Sequence, residues 1–89
     1  MIKTRNLTLS STAEIVLPSD STASYASISI ENTSSSGYAY VGNSGVTTSS
    51  YGFKLYPAQT ITMDIDRYEE FYVCGDSGVT VAILILDKP

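Results

Sequence analysis

The sequence predicts an all-β domain, a small antiparallel β-sandwich or jelly-roll-like barrel of about eight short strands. Three observations predict it. Apolar and polar residues alternate with period two along almost the whole chain, and no window carries a helical stripe. Clusters of Ser, Gly, Asn, Asp and Pro punctuate the alternating runs, as turns punctuate strands. The 14 Ser, 10 Thr and 7 Tyr suit turns and strands respectively, and the Val, Ile and Tyr content is too rich for disorder.

The first element, Met1–Arg5, reads as a short N-terminal arm, because the alternating core pattern starts only at Leu7 and Leu9. Ile15 and Leu17 form the next strand, closed by Pro18-Ser19-Asp20-Ser21. Tyr25-Ala26-Ser27-Ile28-Ser29-Ile30 alternates cleanly and ends in the turn-rich run from Glu31 to Gly37. Tyr38–Val41 is a short strand. Phe53 and Leu55 alternate before a corner at Pro57-Ala58, and Ile61, Met63 and Ile65 alternate with Thr62, Asp64 and Asp66. Residues 67–70, Arg67-Tyr68-Glu69-Glu70, are the one candidate for a helical turn, at a corner before the strand Phe71–Cys74. The last run, Val79–Leu86, is apolar on both faces, which predicts a central strand with its second face covered.

A near-repeat stands out: YVGNSGVT at 40–47 and YVCGDSGVT at 72–80. Neither copy shares a nucleophile, base or metal ligand with the other, so the phrase encodes chain geometry. Each copy reads as a reversal leading to a new β segment at Val-Thr, with Gly supplying positive φ and Asn or Asp bonding its own backbone. The extra residue of the second copy, Cys74, is expected to mark a bulge.

The 89 residues suffice for one domain, 1–89, near the size where a single core is only just enough. No apolar stretch is long enough for a transmembrane helix, and Met1–Arg5 lacks the apolar centre of a signal peptide, so synthesis in a cytoplasm is expected. Asn6-Leu7-Thr8 and Asn32-Thr33-Ser34 fit a glycosylation pattern and read as ordinary strand and turn residues. A net charge of −4 argues against nucleic acid as a partner. There is no His, and Cys74 is the single Cys, so neither an internal disulfide nor a His-activated nucleophile can be assembled. Cys74 reads as a small buried hydrophobe. Gly42-Asn43-Ser44-Gly45 lacks the helix and Lys of a phosphate loop and reads as a plain turn. Asp64 and Asp66 share a strand face that could hold a weak cation, but alternation alone explains them as a solvated face. The expectation is therefore no enzyme, no cofactor and no metal. The remaining functional signal is aromatic, since Tyr is enriched at protein interfaces. Tyr51, Phe53 and Tyr56, with Lys3 and Arg5 of the cationic arm, are the candidate partner-binding residues. As an arm, residues 1–5 would lie along an acidic groove of the partner, and their deletion would leave folding intact.

Residues 38–87 add a resemblance. Tyr40-Val41-Gly42, Val46-Thr47, Gly52-Phe53-Lys54-Leu55-Tyr56-Pro57, Asp66 and Tyr72-Val73 stand at the places of a pattern seen in small structural proteins of tailed-phage virions. The chain resembles these proteins over a little more than half its length, through turn and core positions. It departs at Ala58, where Gly is expected after the Pro, and at Cys74. The resemblance implies a capsid decoration (cement) protein that binds the major capsid protein on the outer surface of the head. It transfers no catalytic residue. A homotrimer is the first expectation for its assembly. The alternative is a tail, baseplate or fibre component, a carbohydrate-binding module among the options, although Trp, frequent in such modules, is absent.

Overall fold

The computed structural model describes residues 2–16, 25–66 and 71–88. These contain eight strands and no helix: β1 (Ile2–Thr8), β2 (Glu14–Ile15), β3 (Tyr25–Asn32), β4 (Ala39–Gly42), β5 (Phe53–Leu55), β6 (Thr60–Asp66), β7 (Tyr72–Gly75) and β8 (Thr80–Lys88). The turn expected at 67–70 and the strand end at Leu17 lie outside the described residues.

The strands pair as a long hairpin rolled on itself. β1 pairs with β8, β2 with β7, β3 with β6 and β4 with β5, all antiparallel. Two lateral pairings, β3 with β8 and β4 with β7, then close sheet A, order β1-β8-β3-β6, and sheet B, order β2-β7-β4-β5. Only β4 and β5 are consecutive strands within one sheet. Every other connection crosses between the layers, which is the jelly-roll arrangement of two four-stranded sheets.

The alternation supplies the core between them. Ile28, Ile30, Val81, Ile83 and Ile85 from sheet A meet Ala39, Val41, Leu55 and Val73 from sheet B, with Leu9, Val16, Ile65, Phe71 and Val79 closing the ends. Among the described residues one polar side chain is fully buried with them. Asn32 donates from Nδ2 to the Leu55 and Gly37 carbonyls (3.0 and 3.2 Å) and accepts from the Ser34 N–H (3.0 Å), so its amide pins the 33–37 loop to β5 without an unpaired group.

Three expectations are corrected. The N-terminal arm is the first strand: Ile2 pairs with Leu86, Lys3 with Ile85, Thr4 with Leu84 and Arg5 with Ile83. Alternation continues through it, but with Lys3 and Arg5 at half-buried positions where their long stems lie along apolar neighbours, so an apolarity pattern does not register it. Cys74 marks no bulge, because it pairs in regular register with Tyr40 while Val73 pairs with Val41. β8 is central as expected, yet among the described residues nothing covers its second face, with Leu84 48% and Leu86 37% exposed.

The two copies of the repeated phrase do make the same turn hydrogen bond, Val46 N–H to Asn43 O (2.9 Å) and Val79 N–H to Asp76 O (3.0 Å). They then diverge. Gly78 sits at φ +88°, Asp76 turns its carboxylate to the Tyr38 N–H (3.0 Å), and Val79 leads into β8. In the first copy Asn43 Oδ1 accepts from the Gly45 N–H (2.9 Å), and the chain enters a second turn, Thr47 N–H to Ser50 O (2.9 Å), instead of a strand. The composition of the phrase fixes a reversal and leaves open whether a strand or a second turn comes next.

Candidate functional site

β4 and β7 are buried on both faces, and the loops explain how. Their inward residues join the main core, while Tyr40 and Cys74 point to the outside of sheet B. There they pack with Val46 and with Ala13, Tyr38 and Tyr72 in a second, smaller cluster. Val46 reaches this cluster because the 43–52 loop folds back over the sheet, tied down by the Gly52 N–H to Val41 O bond (2.8 Å). The second copy of the phrase could not carry a side chain at the equivalent Gly: a Cβ on Gly75 would stand 2.9 Å from both the Tyr38 carbonyl oxygen and Leu9 Cδ1.

The five tyrosines whose side chains are described, Tyr38, Tyr40, Tyr51, Tyr56 and Tyr72, all belong to this outer side of sheet B. Tyr51 leans on Tyr40 with ring centroids 4.9 Å apart, and Tyr56 meets Tyr38 edge-on at 5.1 Å. Lys54, opposite Tyr40 in register, places Nζ 4.1 Å from the Tyr38 ring centroid and 5.3 Å from that of Tyr56. Such a cation–π contact near the surface is worth roughly 0.5–1 kcal/mol. Burial, reinforced by the Asp76 carboxylate, pushes the Tyr40 phenol above the usual tyrosine range and the Cys74 thiol above the usual cysteine range. Both stay neutral at physiological pH, and Cys74 is a buried apolar filler, as its sequence context suggests.

The candidate residues fall into two groups. Tyr51, Phe53 and Tyr56 lie on or beside β5, the edge strand of sheet B, and are 44%, 61% and 52% exposed. Phe53 shares its side of the sheet with Val41, whereas Tyr51 and Tyr56 join the outer tyrosines. Lys3 and Arg5 stand in the other sheet. Arg5 donates from Nη1 to the Ile15 and Val16 carbonyls (2.9 and 2.7 Å), which ties β1 to β2 across the layers and gives it a structural role. Asp64 accepts from Ser27 Oγ at 2.6 Å on the outer face of sheet A. Among the described residues no three acidic or sulfur-bearing side chains gather as a metal site would require.

Two surface features escaped sequence reasoning. One is an apolar seam outside sheet A, where Ile2, 67% exposed, stands opposite Leu86, next to Leu84. The doubly apolar β8 signalled it, but only the structure shows that nothing among the described residues covers it. The other is a depression of about 280 Å³ lined by Gly42, Asn43, Val46, Ser50, Tyr51 and Gly52. Its residues read as turn chemistry, and no local signal reveals that the loop returns over the sheet.

No protein-family model and no curated protein matches the sequence. Among solved structures, the fold is similar to that of a chain from the Bacillus endospore appendages, described as a novel family of disulfide-linked pili. The TM-score is 0.61 at 14% identity, over 100% of this chain and 87% of that one. The likeness supports the small β-sandwich fold.

Proposed function

We propose that this chain is a non-enzymatic structural protein of a bacteriophage virion, a decoration subunit that seats on the major capsid protein and stabilises the head. The observation that carries the reading is the apolar seam of Ile2, Leu84 and Leu86 outside sheet A. Isolated exposed apolar residues are ordinary, but these sit on adjacent paired strands and form one stripe, the kind of surface a partner covers. The seam lies on strands held in regular register, β8 being paired on both sides, so docking would cost little ordering entropy. A homotrimer, which would repeat the seam around a threefold capsid position, fits the same reading and adds avidity.

Binding to purified heads tests it. Leu84→Asp is expected to fold normally, since the side chain faces solvent in the monomer, yet to lose at least about tenfold in head occupancy. Undiminished occupancy by this variant, with native circular dichroism, would remove the seam from the account.

The second reading is a tail, baseplate or fibre component. What favours it is the likeness to a chain from a pilus. Those pili are disulfide-linked, whereas the single Cys of this chain, Cys74, is wholly buried. A fibre of this protein would therefore be held by noncovalent contacts.

A further inference from the structure

We infer that the depression beside Tyr51 is a binding site for a neutral carbohydrate and takes about one sugar ring. This goes beyond the structural role and does not depend on it. A sugar ring offers an apolar face of C–H groups, hydroxyls around its rim and, in its neutral forms, no charge. The depression matches each of these properties.

The apolar wall is Tyr51. Its ring is braced from one side by Tyr40 at 4.9 Å while 44% of the residue remains exposed. Tyr40 is itself almost fully buried, so the platform is positioned before any ligand arrives. The polar rim comes from Asn43 and Ser50. Asn43 spends its Oδ1 on the Gly45 N–H (2.9 Å), and its Nδ2 hydrogens have no partner among the described residues. Ser50 brings a hydroxyl to the same lining. Gly42 and Gly52 contribute only backbone to the lining, and a Cβ on them would press on Val46 Cγ2 and on the Val41 carbonyl oxygen, each at 3.3 Å.

Charge and size narrow the class. None of the six lining residues is an acid or a base of the Asp, Glu, Lys, Arg or His kind. A phosphorylated or acidic ligand would find no cation here. About 280 Å³ lies just below the roughly 300–1,000 Å³ of sites for drug-sized ligands. That suits one ring of a glycan whose remainder stays in solvent. The loop is also fixed rather than draped: Val46 is 4% exposed beneath it, and Thr47 and Ser50 bond each other reciprocally.

The test is a two-dimensional amide NMR titration of the isolated protein with methyl α-D-glucopyranoside, methyl β-D-galactopyranoside and N-acetyl-D-glucosamine. At least one is expected to shift the amides of residues 43–52, saturably and with millimolar affinity. Tyr51→Ala should weaken that binding by about tenfold, the loss expected when a stacking platform is removed. Asn43→Asp keeps the oxygen that accepts from Gly45 but lacks both Nδ2 donors, so a loss of about fivefold is expected with the turn intact. Glu31→Ala, an exposed position on β3 of the other sheet, should leave binding unchanged. Absence of localised shifts with all three sugars overturns the proposal. So does binding that Tyr51→Ala and Asn43→Asp both leave untouched. Neither result bears on docking through sheet A, which is read on heads and not with sugars.

Discussion

Ala58 carries the one positive φ of a non-Gly residue among those described, +67°, at the third position of the Tyr56–Gln59 turn. An L-residue in that region costs about 1–2 kcal/mol, and Gly avoids the cost. The phage-like pattern has Gly at this place, so the departure visible in the sequence is a strained residue in the structure. Ala58 is exposed and would forfeit no packing. Ala58→Gly is therefore expected to stabilise the protein by about 0.5–1 kcal/mol, after allowing for the greater freedom of the unfolded chain. Thermal unfolding should show a midpoint a few degrees higher. Tyr40 and Cys74 give a second residue-scale prediction. Both folded pKa values are raised, so in alkali the unfolded chain loses these protons first and stability falls with rising pH. The contribution is complete below about pH 8, where both groups are still protonated in either state, and is lost as pH rises through the raised folded values. The fall between about pH 9 and 11 should be shallower in Cys74→Ala and Tyr40→Phe than in the parent.

At the scale of elements, β1 separates what the sequence displays from what it hides. The strands β3, β6 and β8 were legible because Ile and Val recur at every second position and turn residues bracket them. β1 was not, because Lys3 and Arg5 occupy alternate half-buried places at a sheet edge and the pattern there is carried by aliphatic stems. The jelly-roll order was legible only as a class, since alternation says nothing about which strands pair. The aromatic half of the candidate site could be named from composition, but its floor depends on a loop folding back, a long-range event. The revised role of β1 has a consequence. Removing residues 1–5 deletes four of its seven register pairs and both Arg5 bonds to the Ile15 and Val16 carbonyls. Hydrogen bonds from a charged group contribute about 1.5–3 kcal/mol each. The truncated chain should lose several kcal/mol in denaturant unfolding, and Arg5→Ala alone about 2–3 kcal/mol, with faster amide exchange at Val16. A truncation that unfolds at the parental midpoint would restore the picture of a dispensable arm.

At the scale of the whole molecule, the jelly roll presents two unlike surfaces: an apolar seam outside sheet A and a tyrosine-lined face outside sheet B. The division suits a subunit that docks by one face and offers the other to solvent. It also gives Leu84 and Leu86 a reason to be apolar that folding of the monomer does not supply, since both point away from the core. The measurement that tests this most directly is cryo-electron microscopy of particles recovered through an affinity tag on the chain. The account predicts density for this domain on the head exterior, in groups of three where capsomers meet, with Ile2, Leu84 and Leu86 buried against the shell. Density confined to a tail or fibre, or a head-bound domain with those three residues facing solvent, would contradict it.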